Sequence, residues 1–191
     1  MQINPFEFLL VVVGIIVGLA LARILAGVAA MVLRRESIRF YWLHLLWLLI
    51  LFLLQVHYWF TLFSWSTLGS SFLWYLSSLV FPLSLYFASA LFLPDPQDSE
   101  RIDFFEHYNR NRQWFFSIAT IGLIALIIHD RCFLRIDLNE PINLIRVGAA
   151  AGVFSLIWIP TRRVQEGMGI LLLGLLLVFL RMFTPDLPAI P

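Results

Sequence analysis

Lysine is absent from this chain of 191 residues and cysteine occurs once, so all 13 basic residues are arginine and Cys132 has no partner for an internal disulfide. Charge of either sign is scarce. Only 13% of residues are charged, against about 25% in a soluble domain, which leaves too little polar surface to clothe a water-soluble globule. A soluble enzyme, a disordered tail and a disulfide-stapled secreted module are thereby excluded. The 12 acids nearly balance the arginines, so no strong pull toward nucleic acid is expected. Also missing are the motifs of common catalytic sites. No G-x-S-x-G elbow, H-E-x-x-H pair, phosphate loop or dinucleotide loop stands in the chain, and a non-enzymatic role is expected.

What fills the chain is apolar: 61% is hydrophobic and mean hydropathy is +0.88. A helix needs about 20 apolar residues to cross the hydrocarbon core. Six such runs occur, Phe8 to Leu33, Phe40 to Phe63, Phe72 to Leu93, Trp114 to Leu134, Ile142 to Ile159 and Gly167 to Phe183. They are continuously apolar and lack the period of two that a membrane β-barrel requires. The expected fold is all-α: one polytopic membrane domain over residues 1–191, with six transmembrane helices and one amphipathic surface helix.

That surface helix is expected over residues 98–112. Asp98 or Ser99 would cap it, and it would lie on the cytoplasmic face as an elbow before Trp114 turns inward. Its His107, Arg110 and Arg112 are candidates for contact with lipid phosphate or a partner.

Arginine in short loops marks the cytoplasmic side. The first, third and fifth connections hold Arg34, Arg35, Arg39, Arg101, Arg110, Arg112, Arg162 and Arg163, while the other side holds Arg131 and Arg135, with Arg146 and Arg181 near its interface. Both termini are therefore expected outside the cytoplasm, in a plasma or bacterial inner membrane, with the first span retained. Trp42, Trp114 and Trp158 near inner ends and Trp59, Trp65 and Trp74 near outer ends would anchor the spans at the headgroups.

Within the spans three features stand out. Gly14, Gly18, Ala22, Ala26 and Ala30 recur every four residues, a small-residue stripe that admits a close neighbour, either another span or a second copy. Arg23 lies beside it within the first span, an expensive position that marks a candidate site. With His44, Ser84, Tyr86 and Thr120 at similar depth, it would line a polar cavity open to the cytoplasm. Pro82 should free a backbone carbonyl in the third span.

All acids sort to the interfaces or the C-terminal tail, so no carboxylate is expected to carry a proton or cation through the core. His57 and His129 share the outer leaflet and are weak candidates for a haem or metal site.

These features fit a small self-associating membrane protein that forms a pore or permeation path for an anionic or neutral species. A non-catalytic subunit or scaffold of a membrane complex, docking lipid or partner through the elbow, is the alternative. A redox protein is third.

Overall fold

A computed structural model describes residues 5–63, 71–94 and 102–183. It is helical, with six helices long and apolar enough to cross a membrane. They are α1 (Pro5–Leu33), α2 (Trp42–Phe63), α3 (Phe72–Phe92), α4 (Phe104–His129), α5 (Pro141–Trp158) and α6 (Arg162–Phe183). Five of them close a ring in the order α2, α3, α4, α5, α6, and α1 packs outside it against α2 and α3.

One expectation fails at α4. The chain from Phe104 onward is not a separate surface elbow but the first turns of a single 26-residue helix, about 39 Å long at 1.5 Å per residue. Asp103 starts it by accepting the amides of Phe105 and Glu106 at 2.8 and 3.2 Å. The proposed caps Asp98 and Ser99 lie outside the described residues. Phe104, Tyr108, Arg112 and Phe115, at intervals of four, four and three, form a stripe continuous with the buried face of the span. That continuity makes straight extension more favourable than a bend.

Arg112 is part of this buried face and does not reach toward a membrane surface. Pro160 follows the end of α5, where helix-terminal carbonyls lose their intrahelical donors. The Arg112 guanidinium donates to Leu156 O at 3.0 Å and Ile159 O at 2.6 Å. Gln165 Nε2 also donates to Ile159 O, at 2.7 Å. A buried arginine thus closes one helix end from a neighbouring helix.

The arginine-rich connections meet at one end. Two short parallel strands, β1 (Ile38–Arg39) and β2 (Ile102–Asp103), pair there, with Arg39 and Asp103 at 3.3 Å. Tyr41 packs against Phe105 and Tyr108, and Arg162 lies over the Tyr41 ring at 5.3 Å while pairing with Glu166 at 2.8 Å. Burial and the nearby Glu166 carboxylate push the Tyr41 phenol above its ordinary value against the opposing pull of Arg162. Beneath this layer His44 stacks on Phe92 at 4.2 Å, Phe92 meets Phe115 at 4.3 Å, and Trp47 meets Phe116 at 5.0 Å. These ring contacts join α2, α3 and α4.

Helix α1 buries Leu9, Val13, Val17, Ala20 and Ile24. Its small-residue stripe lies elsewhere, because a four-residue repeat drifts about 40° per step around a helix of 3.6 residues per turn. Gly14 faces the Trp59 ring of α2. Gly18, Ala22 and Ala26 are exposed, and Ala26 and Ala30 border a cleft beside α3.

Trp114 and Trp158 are exposed at the arginine-rich end, as expected of anchors. Trp74 instead is buried at the opposite end, and Trp65 lies outside the described residues.

Candidate functional site

Pro82 helps organise the interior. It sits within α3 and has no amide hydrogen, so the carbonyl four residues earlier, that of Ser78, lacks its helical donor. The hydroxyl of Tyr58 in α2 donates to that oxygen. The expected freed carbonyl therefore has a partner, and the bond holds the Tyr58 ring against Phe81 with centroids 5.2 Å apart.

Inside the five-helix ring lies a cavity of about 100 Å³. Its walls are mostly aliphatic and aromatic, including Leu54, Phe81, Leu126, Ala149, Leu176 and Phe179. Polar groups are few: Trp47, Tyr58 and Thr61, with His57 and Arg146 among them. Empty cavities with apolar walls stay dry, and one of about 150 Å³ suffices for benzene. The available volume is smaller than that and suits a short alkyl segment.

Arg146 is the unusual member of that lining. It is 7% exposed and pairs with Asp130, which is 1% exposed. The pairing lies where α4 ends. After His129 the helix widens into a π turn over Asp130–Leu134 and ends at Arg135, whose φ of 56° is left-handed. A π turn adds a residue to the helical repeat and re-aims the side chains that follow. Asp130 itself opens that turn still in ordinary helical register, its amide bonded to Leu126 O and Ile127 O, so it shares the buried face of Leu126 and lies inside the bundle facing α5; sorting the acids by depth put it at the outer edge and did not foresee this burial.

The pair is only partly satisfied. A guanidinium has five N–H groups, yet among the described residues Asp130 Oδ2 is the one hydrogen-bond acceptor of Arg146. Asp130 Oδ1 is buried with no donor among the described residues. Arg146 also lies over the Phe179 ring at 5.5 Å. His57 packs edge-on against that same ring at 5.2 Å, and its Nε2 lies 3.4 Å from Thr61 Oγ1. His129, next to Asp130, has Nδ1 2.8 Å from Ser77 Oγ.

The two histidines thus border one buried charge pair, each with its own hydroxyl partner. Among the described residues no three His, Cys, Asp or Glu side chains are grouped to hold a metal ion, and the placement adds nothing to the haem or metal reading.

The five residues expected to line an inner polar cavity are not brought together. Arg23 lies in the cleft between α1 and the end of α3. His44 is buried among Phe92, Phe104 and His107. Ser84 and Thr120 return their hydroxyls to Val80 O and Phe116 O of their own helices, at 2.8 and 2.7 Å. Tyr86 meets Phe87. Of the elbow candidates, His107 bonds Asn111 at 3.1 Å, Arg110 is exposed and Arg112 caps α5.

Sequence reasoning passed over Asp130 and Arg146 as a pair, although a signal existed. They stand eight residues either side of Leu138, at the centre of the α4–α5 connection. Opposite charges equidistant from an antiparallel helix turn fall at matching depth. Compared with family models, curated proteins and solved structures, the chain matches none.

Proposed function

We propose that the chain is an integral membrane protein that binds a small amphipathic anion, its apolar part in the ring cavity and its carboxylate or similar head on Arg146. The observation that carries this reading is the place of Arg146 in the lining of an otherwise apolar cavity, with one of its five N–H groups bonded to Asp130. An anionic head supplies acceptors in a bidentate geometry that arginine suits. The apolar walls favour a short alkyl group over an inorganic ion.

This keeps the anionic or neutral species expected from the sequence but moves its site from Arg23 to Arg146. The six apolar helices support a membrane location, and the arginine distribution supports both termini facing away from the cytoplasm.

The test is thermal stabilisation of the purified protein by a series of short carboxylates and their matching alcohols. Saturable stabilisation by carboxylates, reduced in Arg146→Gln and in the cavity-filling Ala149→Phe, is expected. Equal effects of acid and alcohol in all three proteins would sink the proposal.

A second reading, self-association, is favoured by the exposed line of Gly18, Ala22 and Ala26, where a Cβ added at Gly18 meets nothing within 4 Å. Small residues allow two helices to approach closely in lipid. Replacing Gly18 and Ala22 with leucine should then lower oligomer mass in detergent while leaving the monomer folded; an unchanged mass distribution removes this reading.

A further inference from the structure

An anion on Arg146 changes the charge of the bundle interior. Arg146 and Asp130 are both buried and together neutral. Arg146 forms part of the cavity wall and Asp130 does not, so the guanidinium stands between the cavity and its own carboxylate. A bound anion therefore leaves two negative charges on one positive charge in an apolar surround. Burying a net charge is costly, and buried groups ordinarily relieve it by changing their protonation state.

Among the described residues, the polar groups around Asp130 come from four helices. From α2, His57 lines the cavity and Tyr58 donates its hydroxyl to Ser78 O. His129 of α4 itself has Nδ1 2.8 Å from Ser77 Oγ of α3, and α5 brings Arg146. The α6 neighbour is apolar, the Phe179 ring beneath the guanidinium. Past the end of α4, Arg131 turns outward to Asp137 at 3.2 Å, while Arg135, Glu140 and Arg181 are exposed. An imidazolium at His57 or His129 would sit beside a guanidinium that stays positive, a pairing of like charges. Asp130 has the opposite sign. Its Oδ2 holds Arg146, while Oδ1 is buried with no donor among the described residues. A proton added to Oδ1 leaves the bond to Arg146 in place and restores neutrality.

We propose that Asp130 is a proton-binding site linked to the cavity: each anion that binds at Arg146 is accompanied by one proton, taken from water onto Asp130 Oδ1. This step rests on the anion site proposed at Arg146. One O–H bond forms and none breaks within the protein, so anion and proton enter the bundle as a neutral sum. Where Asp130 is ionised in the free protein and protonated in the complex, affinity falls about tenfold for each unit rise in pH, because every bound anion must draw a proton.

Calorimetric titration of the full-length protein in detergent provides the test, with butyrate and with propane-1-sulfonate between about pH 6 and 8, in two buffers of different ionisation enthalpy. The sulfonate stays ionised throughout, so a proton taken up with it resides on the protein. Uptake of about one proton per anion is expected for both ligands, with about tenfold weaker binding per pH unit. Asp130→Asn, which resembles the protonated carboxyl, should bind both anions with no proton uptake and no loss across this range.

Difference infrared spectroscopy of the unmodified protein gives a readout independent of variant folding. Adding the sulfonate, which has no carbonyl of its own, should raise the band of a protonated carboxyl. Uptake without that band, uptake that persists in Asp130→Asn, or uptake with butyrate alone assigns the proton elsewhere and overturns the proposal. Binding of both anions with no uptake overturns it too, but leaves the anion site at Arg146 standing. Failure of either anion to bind at any pH removes both.

Discussion

Replacing Asp130 with leucine removes the one acceptor of Arg146 among the described residues and leaves a buried guanidinium without that counter-charge. Breaking a buried ion pair from one side costs about 3–5 kcal/mol, mostly the penalty of stranding the other charge. Arg146→Met should cost a similar amount, since it strands a carboxylate that is 1% exposed and already has one oxygen without a donor.

The double variant Asp130→Leu/Arg146→Met strands nothing. Apolar replacement of both partners is often neutral or stabilising, so it should lie within about 1 kcal/mol of the unmodified protein. The assay is thermal unfolding in detergent, where each single change should lower the midpoint by about 10 °C on the scaling for a domain of this size. Losses that simply add in the double variant, or singles that each cost under about 1 kcal/mol, would refute the buried pair. Carboxylate binding should be lost in the double variant even where stability returns, separating the anchor role of Arg146 from its packing.

Three other expectations test separate parts of the structure. Tyr58→Phe removes the donor to Ser78 O and should cost about 1–3 kcal/mol, but nearly nothing when combined with Pro82→Ala, which restores a helical amide; an equal cost in both backgrounds contradicts the assignment. Arg112→Ala uncovers the carbonyls at the end of α5 and should cost about 2–3 kcal/mol, whereas the exposed Arg110→Ala should cost under about 0.5 kcal/mol; similar melting shifts would remove the cap. Cys132, exposed at the end opposite the arginine-rich connections, should react in intact cells with a membrane-impermeant maleimide. Labelling that requires permeabilisation would reverse the proposed orientation.

How much of this was legible in the sequence varied with the physics involved. The six apolar helices were readable because their runs have the length that a bilayer demands, and α2, α3 and α5 begin and end within two residues of expectation. The start of α4 was misread because Glu106, Arg110 and Arg112 lower its apparent hydrophobicity. Its stripe of Phe104, Tyr108, Arg112 and Phe115 was visible at helical spacing, but an arginine within that stripe makes sense only once the α5 carbonyls are beside it.

Arg23 was legible as a cation within a span, because that cost depends on position along the helix alone. Asp130 was not. It shares a helix face with the buried Leu126 four residues earlier, but sorting charges by depth treats an acid facing outward and one facing the bundle alike. The pairing of Arg39 with Asp103 joins loops 64 residues apart, a distance at which local pattern carries no information.

The central claim, that the ring cavity takes an amphipathic anion anchored by Arg146, is tested most directly by a short photoreactive carboxylate whose adducts are mapped by peptide mass spectrometry. The account predicts labelling of the α5 segment from Ile145 to Val153 and the α6 segment from Leu172 to Phe179, suppressed by the non-photoreactive acid and absent in Arg146→Gln. Labelling confined to the exposed helix faces, or unaffected by the competing acid, would contradict it.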